Sequence, residues 1–241
     1  QFERVTQLAP DFLPARLLLA DVCAEGLSPG WALQWVTEIK ANPAWQPLGL
    51  TNEVTLALTE AKVWFAVTNR PKAHGIIHAL LATHPNNPFV YDRALAAFMS
   101  QGSYAEALRV IDQRLQRDPL DANSLSDQGA LYLLMHQFSN AIPALTRALS
   151  LTNRYATRRS LALAYLRTGQ LEAAEAECNA LLKTFPDAYS TYSGLAEIAL
   201  QRKDTNTAIH YYERHLAAAQ ARGDETRHIT EMLKLLQPGR R

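Results

Sequence analysis

The sequence predicts an all-α protein built from one repeated pair of helices, and the repeat is clearest over residues 88–121. Two amphipathic stretches, 90–100 and 104–116, flank a turn at 101–103 and predict two helices within this unit. Asp118 and Pro119 end the second stretch, because proline cannot continue a helix and disfavours helical geometry in the residue before it. The unit recurs along the chain, and this recurrence decides the predicted fold class.

A small residue recurs near the middle of each predicted second helix. These residues are Ala32, Ala73, Ala107, Ala141, Ala174 and Ala208, at steps of 41, 34, 34, 33 and 34 residues. Four residues after each alanine stands a side chain that can fill a core, namely Val36, Ile77, Ile111, Leu145, Cys178 and Tyr212. A proline that ends the helix follows twelve residues after three of the alanines, at Pro85, Pro119 and Pro186. Such a period predicts helix pairs that each contact only their neighbours.

The predicted first helices share a pattern of bulky, aliphatic, small and aromatic positions, spaced by three, one and three residues. It reads Leu125, Gln128, Gly129 and Tyr132 in one unit, and Arg158, Leu161, Ala162 and Tyr165 in the next. In pattern and period the chain resembles the tetratricopeptide repeat family, of the bacterial type. The resemblance covers nearly the whole chain. It implies a right-handed α-solenoid, a superhelix of antiparallel helix pairs in units of about 34 residues.

We therefore expect a single tetratricopeptide solenoid over residues 1–241. Its predicted parts are the end of a preceding repeat at 1–10, repeats at 13–43, 54–87, 88–121, 122–154, 155–188 and 189–222, a loop insertion at 44–53, and a capping helix at 224–237. The half-repeat at 1–10 predicts that further repeats, a signal sequence or an anchor precede it. Trp45, Leu48 and Leu50 favour an insertion that packs back on the protein over a binding loop.

The sequence gives no indication of catalysis. His74 and His78 lie four residues apart, a spacing at which two histidines can share a metal ion, but no third ligand is evident. A solvated helix face is the favoured interpretation, so neither a metal nor a cofactor is predicted. There is no glycine-rich phosphate loop and no nucleophile elbow. The prediction is therefore a non-enzyme, although a catalytic domain could belong to the full-length chain.

The charge is nearly balanced, with 24 Lys and Arg, 23 Asp and Glu, and a formal net charge of +1. We therefore expect no nucleic-acid partner, and no apolar run is long enough for membrane insertion within this segment. Two lone cysteines favour the cytoplasm, while a periplasmic or membrane-anchored protein stays open if an N-terminal segment is missing. The charges are unevenly placed, because the acid-free window between Asp127 and Glu172 contains Arg147, Arg154, Arg158, Arg159 and Arg167.

The resemblance implies that the first helices line a concave groove. The candidate groove residues are Asp92, Met99, Asn123, Ser126, Leu133, Arg159, Leu163, Leu166, Arg167 and Glu197. A partly apolar groove with two arginines suits an extended peptide or amphipathic helix with acidic residues, because arginine pairs with carboxylates bidentately. The alternative is a solvated face in which the arginines only cover apolar surface with their stems. The carboxylate clamp of chaperone-binding family members is not matched at the corresponding positions.

The favoured function is a non-catalytic protein–protein interaction scaffold that binds a peptide or helix segment in this groove. Two alternatives stay open. The chain could be a regulatory or assembly arm of a larger enzyme or of a secretion or export machine, which the mass of the full-length chain would show. It could also be a self-association module, and this alternative fails if light scattering finds only the monomer mass of 26.8 kDa.

Overall fold

A computed structural model of the chain describes residues 12–25, 28–43, 45 and 49–237. Within these residues there are thirteen α-helices and no strand, as predicted. The predicted half-repeat at 1–10 and the predicted packing of Leu48 lie outside the described residues. The chain divides into two compact units, Gln1–Val110 and Ile111–Arg241, and the prediction of one continuous solenoid stays a prediction.

In the first unit, consecutive helices between Leu13 and Ser100 pack against each other. The helices are α1 (Leu13–Glu25), α2 (Pro29–Ala41), α3 (Leu50–Ala66), α4 (Arg70–Thr83) and α5 (Pro88–Ser100), followed by α6 (Tyr104–Arg117), which continues into the second unit. Helix α3 begins four residues before the predicted start at 54, after Gly49 with a φ of 80°. The connection after α2 is therefore shorter than the predicted insertion.

The core of the first unit lies between α1, α2 and α3. One buried cluster consists of Leu13, Leu17, Ala20, Val36, Ile39 and Leu56. Trp45 packs against this cluster, as the sequence predicted for the insertion. Ser28 is the N-cap residue of α2 and precedes Pro29, although its side chain makes no capping hydrogen bond.

The second unit contains the remaining helices. They are α7 (Ala122–Leu134), α8 (Phe138–Leu151), α9 (Tyr155–Arg167), α10 (Leu171–Thr184), α11 (Thr191–Gln201), α12 (Thr205–Arg222) and α13 (Arg227–Leu236). The pairs α7–α8, α9–α10 and α11–α12 make the most extensive contacts, and α9 also packs against α7, α8 and α11. Helices α7, α9 and α11 thus form one layer, which positions the site described below.

The recurring alanines mark the tightest contacts of these helices, because all six are fully buried. In the second unit, Ala141 packs in a cluster with Leu145 and Leu161. Ala174 lies in a cluster with Cys178 and Ile198. A small side chain is required at such positions because a larger one would force the two helices apart.

Helix α13 covers the end of the second unit. Ile229 is buried against Ala208 and Tyr212, and Met232, Leu233 and Leu236 pack against the same cluster. The helix is shorter than the predicted capping helix at 224–237. None of the described helices has the length and apolar character needed to cross a membrane.

Candidate functional site

The layer formed by α7, α9 and α11 contains an apolar cavity of about 550 Å³, with its floor on α10. This volume lies within the range of about 300–1,000 Å³ that is usual for binding sites. Its apolar lining includes Ala130, Leu133 and Leu134 from α7, Leu163 and Leu166 from α9, Cys178 and Leu181 from α10, and Ile198 from α11. We refer to this cavity, with Arg159 on its wall, as the groove.

The groove exposes leucine side chains that a folded protein usually buries. Leu134 is 47% exposed and Leu163 is 38% exposed. Leu163 and Leu166 lie three residues apart on α9, so they share one face of that helix. Neighbouring apolar side chains that remain in contact with water are typical of surfaces that another molecule covers.

Arg159 lines the same cavity and is exposed. Its side chain makes neither a hydrogen bond nor an ion pair with any residue that the structure describes. It lies four residues before Leu163 on α9, and a helix rises about 6 Å over four residues. An unpaired guanidinium group therefore stands one helical turn from an exposed leucine.

The second predicted groove arginine differs from the first. Arg167 forms an ion pair with Glu197 of α11, with Nη1 and Oε2 separated by 3.8 Å. Both side chains are more than two-fifths exposed, so the pair contributes about 0–1 kcal/mol to stability. Of the two arginines predicted on the groove wall, Arg159 lines the cavity and has no partner among the described residues, whereas Arg167 does not line it and is paired.

Three of the five arginines of the acid-free window, Arg147, Arg158 and Arg167, have partners. Arg158 is largely buried and pairs with Glu177 of α10, and its guanidinium also donates to the Asn153 side chain at 3.2 Å. Arg147 donates to the backbone carbonyl of Pro119 at 2.9 Å. The acidic partners of Arg158 and Arg167 are Glu177 and Glu197, which follow the window in the sequence. The sequence alone did not indicate these pairs.

Five of the ten predicted groove residues line the cavity, namely Leu133, Arg159, Leu163, Leu166 and Glu197. The others do not line it. Asn123 is exposed at the start of α7, and the Ser126 hydroxyl hydrogen-bonds the Thr157 hydroxyl at 2.8 Å. Asp92 and Met99 lie on α5 in the first unit.

A hydrogen-bonded serine and histidine lie at the edge of the cavity. Ser193 lines the cavity, and its hydroxyl lies 2.6 Å from Nδ1 of His215 on α12. The ring of Tyr189 meets that imidazole edge-on, with centroids 5.2 Å apart. Burial lowers the pKa of His215 below its ordinary value, and the charge of His228 adds to this effect. This favours a neutral imidazole at Ser193 near neutral pH.

The floor of the cavity also went unrecognised. Cys178 and Leu181 belong to α10, a second helix of the repeat, whereas the predicted groove used only first helices. The cavity reaches them beside Gly194, where a side chain is missing on α11. A Cβ atom placed at Gly194 would meet only Sγ of Cys178, at 3.4 Å. A glycine in a helix interior was the one sequence signal that could have indicated this opening.

The paired histidines of the first unit do not form a solvated face, so that interpretation is wrong. His74 hydrogen-bonds the Ser103 hydroxyl at 3.0 Å, and His78 hydrogen-bonds the Glu106 carboxylate at 3.0 Å. The His74 ring packs edge-on against the rings of Phe65 and Phe98. Burial lowers the pKa of His74, and this effect outweighs the attraction of Glu106. Within the described residues no group of three or more His, Cys, Asp or Glu side chains has an arrangement that could hold a metal ion.

Two models of the tetratricopeptide repeat match the chain, over residues 132–198 and 191–226. Residues 132–226 therefore belong to the tetratricopeptide repeat family. These residues contain α9, α10 and α11, which supply most of the groove. Among curated proteins, no relative of this chain was found.

Solved structures of the same fold resemble this chain at low sequence identity. MamA 41-end from Desulfovibrio magneticus RS-1 is 18% identical, with a TM-score of 0.58, over 70% of this chain and 96% of that one. YrrB, described as a tetratricopeptide repeat protein with an unusual peptide-binding site, is 16% identical, with a TM-score of 0.53, over 68% and 84%. A tetratricopeptide repeat protein from Parabacteroides merdae ATCC 43184 is 17% identical, with a TM-score of 0.55, over 98% of both chains. At these identities the likeness shows the fold alone.

The tetratricopeptide repeat fold supports a role as a protein–protein interaction scaffold, with protein or peptide partners. In the second unit, the groove brings together exposed apolar side chains and Arg159, which has no partner among the described residues.

Proposed function

We propose that the groove of the second unit binds a segment of a partner protein, and that the protein acts as a non-catalytic scaffold. The bound segment is an extended peptide or an amphipathic helix that carries apolar and acidic side chains. One observation carries this proposal: exposed leucines line a cavity on whose wall Arg159 has no partner among the described residues.

The apolar part of the groove supplies the free energy of binding. Leu134 and Leu163 both remain partly in contact with water, although they line a cavity that reaches the core. Fully burying a leucine side chain contributes about 1.5–3 kcal/mol, so covering a few such side chains supports a specific contact. A segment with an apolar stripe on one face meets this requirement, as in other complexes of helices or peptides with grooves.

The charge of the groove selects among apolar segments. Arg159 adds one unpaired positive charge, whereas Arg167 and Glu197 neutralise each other. Arginine presents several N–H donors in a planar fork that matches a carboxylate, so an acidic residue in the partner gains a charge-assisted hydrogen bond. YrrB, which has the same fold, is described as having a peptide-binding site, and this supports a peptide as the occupant.

Photo-crosslinking at the groove tests the proposal directly. In the variant Leu163→benzoylphenylalanine, irradiation in native lysate should attach partner peptides to α9. The matched control is Lys183→benzoylphenylalanine, because Lys183 is exposed on α10 and does not line the cavity. Partner peptides that attach at position 163 and not at 183 support groove binding. Equal attachment at both positions, or attachment at 183 alone, contradicts it.

Charge reversal tests the contribution of Arg159. The variant Arg159→Glu should lose most crosslinking at position 163 without loss of helicity. Arg154→Glu is the matched control, since Arg154 is an exposed arginine that precedes α9 and does not line the cavity. If both reversals reduce crosslinking at position 163 equally, the proposal that the partner segment is acidic is wrong.

The two alternatives from the sequence stay predictions. An assembly arm of a larger enzyme or secretion machine requires a longer full-length chain, which intact mass spectrometry would show. Self-association requires a particle heavier than 26.8 kDa in light scattering as the protein concentration rises. A constant monomer mass would eliminate the second alternative.

A further inference from the structure

We infer that the groove contains an anchor pocket for one large apolar side chain of the bound segment, and that this segment carries a carboxylate about one helical turn from the anchor. The inference rests on the proposed function and specifies which protein segment fits the site. It depends on the floor of the cavity and on the position of Arg159.

The floor of the cavity lies in the protein core. Cys178, Leu181 and Ile198 line the cavity, although they are only 4%, 1% and 2% exposed. The cavity therefore passes beyond the exposed leucines and ends on side chains of α10 and α11. A pocket with such a floor accepts a side chain inserted from the partner, whereas a shallow surface would only be covered by it.

Gly194 keeps this pocket open. A Cβ atom at this position would point toward Sγ of Cys178, at 3.4 Å, and would meet no other neighbour within 4 Å. Any larger side chain at position 194 would therefore extend over the floor. Glycine weakens a helix interior relative to alanine, and the open pocket explains its presence in α11.

The chemistry of the floor selects an apolar anchor. Burial raises the pKa of the Cys178 thiol to about 12, and nearby glutamates add to this shift, so the sulfur is neutral and weakly polar. Leu181, Leu166 and Ile198 complete an apolar surface. The Ser193 hydroxyl at the edge is already hydrogen-bonded to His215. Aromatic residues and leucine are therefore the anchors that gain most on entering the pocket.

The position of Arg159 places the carboxylate. Arg159 and Leu163 lie about 6 Å apart along α9, which corresponds to one turn of a bound helix. Glu197 also lines the cavity, and it is paired with Arg167, which lies outside the cavity, so this side of the groove carries no unpaired charge. The two ends of the groove therefore differ. A carboxylate on the Arg159 side of the anchor gains an ion pair, and a carboxylate on the other side does not.

A panel of short helical peptides with a fluorescent label tests this inference by fluorescence anisotropy with the full chain. The panel has a tryptophan anchor with glutamate one turn before it, glutamate one turn after it, or glutamine in both places, and each form is repeated with alanine as the anchor. We expect one of the two glutamate peptides to bind at least about tenfold more tightly than the glutamine peptide and than its own alanine form. Equal affinities across the panel, or no binding by any peptide, would overturn the inference.

Two variants test whether Arg159 causes the preference for glutamate and whether Gly194 permits the preference for tryptophan. Arg159→Gln should remove the advantage of glutamate and keep that of tryptophan, whereas Gly194→Leu should remove the advantage of tryptophan and keep that of glutamate. Gly75→Leu is the matched control, because Gly75 lies exposed in α4 with nothing near its Cβ position. If Gly194→Leu and Gly75→Leu bind the tryptophan peptides with equal affinity, the inference of an anchor pocket is wrong.

The same measurements separate this inference from the proposed function. Crosslinking at position 163 without any preference in the panel means that the groove binds a partner but has no anchor pocket of this kind. If there is neither crosslinking at position 163 nor any preference in the panel, the two proposals fail together. Dodecanoate is included as a competitor, because a fatty acid also combines a carboxylate with an apolar chain. If dodecanoate binds as tightly as the best peptide, the assignment to a protein segment is overturned.

Discussion

Gly129 and Leu145 approach each other so closely across the α7–α8 pair that no further carbon atom fits between them. A Cβ atom at position 129 would lie 2.3 Å from Cγ and 2.5 Å from Cδ2 of Leu145. Leu145 is fully buried, so it has little room to move. Gly129 occupies the small position of its repeat, and here even alanine is too large.

Gly129→Ala should therefore destabilise the second unit by about 1–3 kcal/mol, because overpacking outweighs the gain in helix propensity. Urea unfolding followed by circular dichroism would measure this loss. Gly75→Ala is the control, because an added Cβ atom there has open space and should raise stability by about 0.5–1 kcal/mol. A stabilising effect of both substitutions would show that α7 and α8 are less closely packed than described.

Ala174→Leu should cost about 1–3 kcal/mol or more, because Ala174 is fully buried in a cluster with Cys178 and Ile198. Ala176→Leu provides a comparison in the same helix, since Ala176 is exposed and the change should stay within about 0.5 kcal/mol. The melting temperatures of the two variants give the test. Equal melting temperatures would mean that the assigned repeat register is wrong.

The two arginine pairs of α9 should differ in their contribution to stability. In the Arg158–Glu177 pair the side chains are 19% and 21% exposed, and in the Arg167–Glu197 pair they are 47% and 42% exposed. Arg158→Ala should cost about 1–3 kcal/mol because it leaves a largely buried carboxylate without its partner. Arg167→Ala should cost less than about 1 kcal/mol. Chemical denaturation of both variants decides, and a larger loss for Arg167→Ala would contradict the described pairing.

The first unit should lose stability as the pH falls below about 6.5. Burial lowers the pKa of His74 in the folded state, so the unfolded chain binds more protons in this range and folding weakens on acidification. Glu106 acts in the same direction at lower pH. Burial opposes its ionisation, but the His78 hydrogen bond and the charge of Arg109 outweigh burial and lower its pKa below 4.5. Protonating this carboxylate then costs stability.

His74→Gln is the variant that tests this dependence, because glutamine can still hydrogen-bond Ser103 but does not titrate. Unfolding free energies between pH 7 and pH 5 should fall less steeply in the variant than in the wild type. An identical slope for both proteins would mean that His74 does not contribute.

The sequence predicted the repeats well because the alanine spacing reports a physical contact between helices. Ala141 and Ala174 could be placed in the core from their period alone, and both are fully buried. The charges could not be placed in this way. Glu197 lies thirty residues beyond Arg167 in the next repeat, and only the packing of α9 against α11 brings the two together.

The extent of the groove also exceeded what a repeat pattern can indicate. The family pattern assigns groove positions on first helices, so it found Arg159 and Leu163 but not Cys178 or Leu181 of α10. Their contribution depends on the missing side chain at Gly194, which is a property of this chain and not of the repeat. Helix α3 began early for a similar reason, because the loop pattern after Pro43 did not show where Gly49 starts the next helix.

The two cysteines should differ in their rate of reaction with a thiol reagent, and the rate at Cys178 reports access to the groove. Only thiolates react with alkylating reagents at useful rates, and the buried Cys178 thiol has a pKa of about 12. Cys23 in the first unit is partly accessible, so a brief pulse of reagent modifies it first. Cys178 lies at the floor of the cavity and is only 4% exposed, so its labelling is slower and depends on how freely the reagent enters the groove. A segment bound over the floor of the cavity would slow the labelling of Cys178 without changing the labelling of Cys23.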